Sequence, residues 1–500
     1  MVAENSETVE YDVIVVGGGA VGENVADRTA QGGLRTVIVE SALVGGECSY
    51  WACMPSKVLL RSGAVLAAAR RVPGAAERVR ESVDGAGQDA SAAVDVAAVL
   101  RRRDAIASHW SDDGQVGWLD SAGIALVRGH ARLSGIREVT VTAPDGSVTV
   151  LRAKHAVVLS TGSAALLPDI PGLADVAPWT SREATSVKIV PASLAIIGGG
   201  TVAVEMATAF RSLGAAVTVI ARSSLLSGQE PFAGTLVGEA LELSGATVLL
   251  GTSTTRAART PTGDVELTFD DGSTITTNEV LVAAGRVPVT LDLGVDLVGL
   301  DAGEWLRVDD TMLVLGDSPK LAGEWLYATG DVNHRALLTH QGKYQARAAG
   351  DVIVARASGA AVDDQPWGAH VATADHAAVP QVAFTDPEVA SVGLTAAAAV
   401  KAGYRIRILD HDMAALGGSS TLADGYIGKA RAIVDLDREV IIGATFVGQD
   451  VAELLHSATI AIVGEVPIGR LWHAVPSYPT LSEVWLRLLE HYGRPGSELA

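Results

Sequence analysis

The chain has only two cysteines in 500 residues. Both fall in one segment, Gly45-Gly46-Glu47-Cys48-Ser49-Tyr50-Trp51-Ala52-Cys53-Met54-Pro55-Ser56-Lys57. Two thiols this close can close into a reversible disulfide, which stores two electrons and exchanges them with another sulfur. Other chemistry is a poorer match. A zinc site wants four ligands, and no nearby His or Cys completes the set. A purely structural cross-link would matter little to the core that a chain of this length can bury.

The elements that would position the pair stand just before it. Residues 11–16 read as a buried strand, followed at once by Gly17-Gly18-Gly19-Ala20-Val21-Gly22, a helical stretch, and an apolar strand over 36–39 that ends in Glu40. This is a dinucleotide fingerprint in its required context: glycines let the backbone approach a pyrophosphate at a helix N-terminus, and the acid holds a ribose hydroxyl. The pattern recurs. A strand over 194–197 runs into Gly198-Gly199-Gly200-Thr201-Val202-Ala203, then a helical run over 204–213 and a strand over 216–220. Each glycine turn serves one pyrophosphate, so two fingerprints predict two dinucleotides. Where an NAD site presents an acid after its second strand, this unit has Ala221-Arg222-Ser223. Arg222 can pair with a 2′-phosphate that an acid would repel, which predicts NADPH in preference to NADH. A solvated loop arginine is the alternative.

Composition bounds the rest. Apolar residues make up 48% of the chain, enough for large cores and two to four domains. A net charge of -20 argues against nucleic-acid or anionic-membrane partners, and no apolar run approaches the roughly 20 residues of a membrane span. The polar residues 1–10 do not resemble a signal peptide, and with only two thiols the expected setting is reducing and cytoplasmic. Residues 72–108 look mostly helical and surface-facing, with Arg101-Arg102-Arg103 as a solvated face. Apolar strands are expected over 156–160, 280–284 and 325–328. They lead into Thr161-Gly162, Gly285-Arg286 and Thr329-Gly330-Asp331. Beyond a loop around 363–367 the pattern changes to a separate C-terminal domain.

These residues together resemble the flavoprotein disulfide reductases of the pyridine nucleotide type, which include dihydrolipoyl dehydrogenase, glutathione reductase and mercuric reductase. The resemblance covers nearly the whole chain. It rests on both fingerprints, the Cys-x4-Cys-x-Pro-Ser-Lys segment, Thr161-Gly162, Gly285-Arg286, Gly330-Asp331, Phe384-Thr385-Asp386-Pro387-Glu388 and Pro479-Thr480-Leu481-Ser482-Glu483. It implies an α/β fold with two Rossmann-like domains, for FAD and NAD(P)H, and a C-terminal α+β dimerisation domain that makes a homodimer. The implied boundaries are 1–165 and 291–365 for the FAD-binding and central parts, 166–290 for NAD(P)H, and 366–500 for dimerisation. By position, Gly17, Gly19 and Gly22 would face the FAD pyrophosphate, Glu40 its ribose, and Asp331 the flavin side. Thr161, Gly162, Gly285 and Arg286 belong to the same cofactor set, and Gly198, Gly200, Ala203 and Arg222 to the NADPH set. Lys57 and Glu205 resemble the ion pair beside the reactive edge of the flavin. Cys53 would be the flavin-proximal thiol and Cys48 the exchanging one, with a nearby helix start lowering the thiol pKa. No metal is expected.

The C-terminal motif departs from the family. Its thiol reductases carry His-Pro-Thr with a Glu five residues after the His, whereas this chain has Tyr478-Pro479-Thr480 and Glu483. A tyrosine with a pKa of about 10 is a poor proton shuttle for thiols. Tyrosine here resembles mercuric reductase and the soluble transhydrogenase, yet the chain lacks the former's C-terminal cysteine pair and keeps the Cys53 that the latter lacks. The side chains of Tyr50 and Trp51 could restrict access to the pair, line a pocket, or pack inside. The expected activity is an NAD(P)H-dependent FAD oxidoreductase that passes electrons through Cys48 and Cys53 to a small-molecule acceptor. Transhydrogenase, diaphorase or quinone reduction at the flavin is the alternative, and a non-catalytic redox sensor a minor one.

Overall fold

The computed structural model describes residues 8–84 and 94–494. The residues outside these include most of the polar N-terminus, the middle of the 72–108 stretch, and the cysteine-free end of the chain. The fold is mixed α/β and divides into two compact units. The first comprises residues up to 55, 104–166 and 286–376; the second comprises 56–103, 167–285 and 377 onward.

In the first unit the central strand Thr8–Val16 lies parallel to Thr36–Glu40 on one side and to Val148–Leu159 on the other. Ala125–Arg128 extends the sheet in parallel beyond Thr36–Glu40, and Leu326–Ala328 pairs in parallel with Val148–Leu159. Two antiparallel strands, Glu138–Thr142 and His130–Gly135, continue the order. Val13, Ile14 and Val15 are wholly buried in sequence. A run apolar on both faces marks a parallel strand covered on both sides, where each such side chain contributes about 1.5–3 kcal/mol. The helices Ala20–Gln31 and Thr339–Ser358 pack together. The Arg28 guanidinium grips both carboxylate oxygens of Asp351 between them. Buried Gln345, on the second of these helices, accepts from Gly330 N–H at 2.9 Å and donates to Asp375, which fixes the loop that carries Asp331.

The second unit holds a four-stranded parallel sheet, ordered Thr247–Leu250, Ala216–Ala221, Ser193–Ile197 and Glu279–Val282. A three-stranded antiparallel sheet follows over 254–277, and a five-stranded antiparallel sheet is built from 381–448. The strand expected over 280–284 ends at Val282, with one more bond from Ala283 N–H to Ile197 C=O before the chain turns away at Gly285. The helix Thr201–Ser212 buries most of its residues, including Phe210, against this sheet.

One expectation fails. Arg101-Arg102-Arg103 is not a uniformly solvated face. The helix Val96–Ile106 exposes Arg101 and Arg102 but buries Arg103 completely. Arg103 donates to the backbone carbonyls of Thr185 (2.5 Å) and Val187 (2.7 Å). Successive residues of a helix point about 100° apart, so a run of three can place one member inward when the helix packs. Here the inward position binds the carbonyl of Thr185, which ends the helix Ser181–Thr185, and that of Val187 just beyond it. Replacing Arg103 with Leu removes the guanidinium donor from both carbonyls. It is expected to cost about 2–4 kcal/mol in urea unfolding, against less than about 0.5 for Arg102→Leu.

Candidate functional site

The two glycine turns share one steric reason. Gly17 has φ +102°, and a Cβ there would stand 2.4 Å from Ser160 C=O; Gly198 has φ +137°, with Ala283 C=O at 2.2 Å. In each turn the carbonyl belongs to the chain just past a neighbouring parallel strand, and only glycine passes beside it. The turns then diverge. A Cβ at Gly22 would meet Gly17 C=O at 1.9 Å, whereas Ala203 sits buried at the matching position and carries its methyl.

Both turns fit a bound dinucleotide. The helices that follow have N-caps at Gly19 and Gly200 and no capping side chain, so the N-terminal N–H groups remain for an anion. A Cβ at Gly200 would meet nothing within 4 Å, and one at Gly19 only Gly46 Cα at 3.8 Å, which is the open cradle a pyrophosphate needs. Glu40 accepts from Gly18 N–H at 2.6 Å and from Ala42 N–H at 2.7 Å. Arg222 follows the strand end at Ala221 and is exposed.

In the first unit, Cys48 lies within the short helix Gly46–Tyr50, and Cys53 opens the helix Cys53–Arg70. They are not joined by a disulfide. Cys53 Sγ lies 3.4 Å from Thr339 Oγ1, at the first residue of the helix Thr339–Ser358. The hydrogen bond that Cys48 makes to Cys53 raises its pKa, and burial and the Cys53 charge raise it further; Thr339 and Lys343 pull the other way. The expectation that a helix start lowers the thiol pKa therefore fails for Cys48, which lies inside a helix and is pushed up instead. Tyr50 packs inward, buried, with its hydroxyl donating to Val44 C=O at 3.1 Å.

Two neighbours of this pair escaped sequence reading. Arg286 donates to Glu47 at 2.7 Å, to Ser163 C=O at 2.6 Å and to Ser163 Oγ, and Ser163 Oγ in turn donates to Asp331. Glu47, Arg286, Ser163 and Asp331 thus form one chain of contacts, joining the residue before Cys48 to the Gly330-Asp331 loop. Thr161 donates to Val289 C=O, and Gly162 takes φ +72° beside it. The acid next to Cys48 was a signal in plain view, but nothing in sequence links it to a residue 239 positions away. The other neighbour is Glu23, in the first turn of Ala20–Gln31.

In the second unit, Lys57 Nζ donates to both oxygens of Glu205, at 2.8 and 3.1 Å. Glu205 is buried and also accepts from Phe384 N–H at 3.0 Å, while Lys57 Nζ lies 4.9 Å above the Phe384 ring. Tyr478 is 78% exposed and precedes a cis proline. Glu483 is buried and accepts from Arg487; among the described residues its Oε2 has no partner. Tyr478 and Glu483 are not hydrogen-bonded to each other within one chain.

With this geometry in place, the comparisons are specific. Residues 11–359 match the pyridine nucleotide-disulphide oxidoreductase family, and 379–488 its dimerisation domain. The chain belongs to this family of flavoprotein oxidoreductases, which use FAD and NAD(P)H. It is 31% identical to dihydrolipoyl dehydrogenase of Chlorobaculum tepidum over 95% of both chains. It is 30% identical to mercuric reductase of Acidithiobacillus ferrooxidans over 95% of this chain and 81% of that one. In structure it is similar to the Cu(II) complex of the HOCl-induced flavoprotein disulfide reductase RclA from Escherichia coli (TM-score 0.79, 20% identity, 96% of this chain and 99% of that). LpdA from Mycobacterium tuberculosis gives a TM-score of 0.76 at 22% identity, over 97% and 99% of the two chains. Among the described residues no helix is long and apolar enough to cross a membrane.

Burial pushes the Glu23 carboxyl up from 4.5 to about 7, with Lys343 opposing and Glu40 adding to the rise. A folded-state pKa above the unfolded one means that the native chain holds the proton longer. Stability from this group is therefore complete below pH 4.5 and lost as the pH rises through about 7, on the order of 3 kcal/mol in all. Glu23→Gln is expected to leave the thermal midpoint near wild type at pH 5 and raise it progressively by pH 8. Parallel pH profiles for the two proteins would refute this.

Proposed function

We propose that this protein carries two electrons from NADPH, by way of FAD, to a Cys48–Cys53 disulfide and on to a small acceptor. The observation that carries the reading is the sulfur pair itself: Cys48 in the helix Gly46–Tyr50 and Cys53 at the start of the next helix, with Thr339 Oγ1 against Cys53. The proposed assembly is a homodimer, with FAD held by 1–165 and 291–365, NADPH by 166–290, and the subunits joined through 366–500. Gly17, Gly19, Gly22, Glu40, Thr161, Gly162, Gly285, Arg286 and Asp331 would hold FAD. Gly198, Gly200, Ala203 and Arg222 would hold NADPH, with Arg222 on its 2′-phosphate.

FAD, when bound, supplies the relay between a nicotinamide and a disulfide. The chain's own residues do the rest. A hydride equivalent from NADPH brings two electrons and one proton, which would open the S–S bond to one thiol and one thiolate. Cys48 keeps its proton and Cys53 holds the negative charge, because the hydrogen bond between them favours that order. Lys57, fixed by buried Glu205, would keep a positive charge one helical turn from Cys53. The acceptor class follows from the missing base. With Tyr478 and Glu483 where the family places His and Glu, an acceptor that needs a proton delivered to a leaving thiol is served poorly. A thiophilic metal ion needs none. The relatives that include a mercuric reductase, and a neighbour solved with Cu(II), support that preference.

An anaerobic thiol count tests the pair. One equivalent of NADPH added to the oxidised holoprotein is expected to expose two new thiols per chain, and none in Cys53→Ser. NADPH oxidation with full retention of disulfide in the wild type would move the chemistry to the flavin alone, as in a transhydrogenase or quinone reductase. Tyr478→His is expected to raise turnover with a small disulfide at least tenfold; an unchanged rate would place the limit elsewhere than in proton delivery.

A further inference from the structure

The second unit contains a cavity of about 610 Å³ that none of the proposed chemistry uses. Its walls come from the helices Cys53–Arg70, Thr201–Ser212 and Pro231–Leu243, and from the segments 384–387, 423–427 and 449. The volume suits a small organic molecule rather than a solvent defect. Much of the wall is apolar, from residues such as Leu60, Leu241 and Phe384.

Two polar atoms in that wall stand out. Arg71 spends one guanidinium nitrogen on Asp386, at 3.0 Å, but its Nε is buried with no hydrogen-bond partner among the described residues. Gln449 Oε1, in the same wall, is also buried without a partner. A buried donor or acceptor left unmade is costly, and such atoms in native structures call for a partner. The two orphans differ in kind: Arg71 lacks an acceptor and Gln449 lacks a donor. The charged lining is three arginines, at 70, 71 and 211, against Glu239 and Asp386, so it is locally positive in a chain of net charge -20.

We propose that this cavity binds a small hydroxylated aromatic acid. Its carboxylate would accept from Arg71 Nε within the positive wall, its hydroxyl would donate to Gln449 Oε1, and its ring would lie against the leucines and Phe384. An apolar molecule would leave both orphans unmade, and a cation would face the arginines. The site is separate from the two glycine turns and from the cysteine pair, so its occupancy does not depend on the electron path proposed above.

Calorimetric titration of the FAD-loaded protein with 4-hydroxybenzoate, under saturating NADP+ to block the nucleotide site, tests this. Saturable binding of one molecule per chain is expected. Ala67→Phe, which fills the cavity, is expected to weaken it at least twentyfold. Gln449→Leu should weaken 4-hydroxybenzoate about tenfold, equal to about 1.4 kcal/mol, while leaving benzoate unaffected and NADPH oxidation unchanged. Wild-type protein that shows no saturable binding overturns the proposal, and so does equal affinity in Ala67→Phe. Should Ala67→Phe lose its cooperative thermal transition, the benzoate comparison on Gln449→Leu decides alone. An equal loss for both acids would then overturn the assignment of Gln449.

Discussion

A carbonyl oxygen stands where a side chain at Gly17 would be. Ser160 C=O comes within 2.4 Å of that missing Cβ, because Val148–Leu159 runs parallel and adjacent to Thr8–Val16 and both strands end together. The constraint couples two segments far apart in sequence. The close pairing of the strands demands a glycine, and the glycine lets the chain turn into a helix with its N–H groups unspent. Gly198 meets Ala283 C=O in the same way. One steric condition, imposed twice, thus produces two anion-ready helix ends, and the cysteine segment is threaded back to the first of them, where Gly45 N–H bonds to Gly18 C=O.

From that point the first unit reads as a set of tethers on the loops that end its strands. Gln345 holds Gly330, Arg286 holds Glu47 and Ser163, and Thr339 meets Cys53. Gln345 and Gly330 are 15 positions apart, whereas Glu47 and Arg286 are 239 apart and Cys53 and Thr339 are 286 apart. Loops made of Gly-Asp or Gly-Gly-Glu-Cys have little apolar surface with which to fix themselves. Their positions are set by hydrogen bonds to side chains on helices and strands, which is how a loop without apolar surface acquires a defined position.

The same distinction explains what was legible in the sequence. The strand-turn-helix units were readable because one local rule, glycine beside a carbonyl at a strand end, writes itself into consecutive residues. The cysteine segment was readable because both thiols stand within six consecutive residues. Arg103 was misread because its partners, the carbonyls of Thr185 and Val187, lie more than 80 positions on, and a triplet of arginines gives no sign of which one turns inward. Glu47–Arg286 and Cys53–Thr339 were invisible for the same reason. The Cys48 pKa went the wrong way because a helix was weighed and the second thiol was not. A sulfur with a hydrogen-bonded sulfur neighbour answers to that neighbour first.

Charge near the cysteines follows from this arrangement. Lys343 favours ionisation of Cys48 and opposes the rise of Glu23, so one cation serves two acids in the same neighbourhood. Arg286 is taken up by Glu47 and Ser163, and Lys57 by Glu205. Cations that are each committed to an acid raise the local potential only modestly, and they do not drive both thiols to ionise. In the proposed reaction the raised pKa of Cys48 would keep the proton there and leave the charge on Cys53. A disulfide that is to be opened and closed repeatedly needs that asymmetry, since two like charges on adjacent sulfurs would repel and two bound protons would leave no nucleophile. The asymmetry would come from the neighbouring Cys53 and from burial together, within a segment that the glycine turn holds in place.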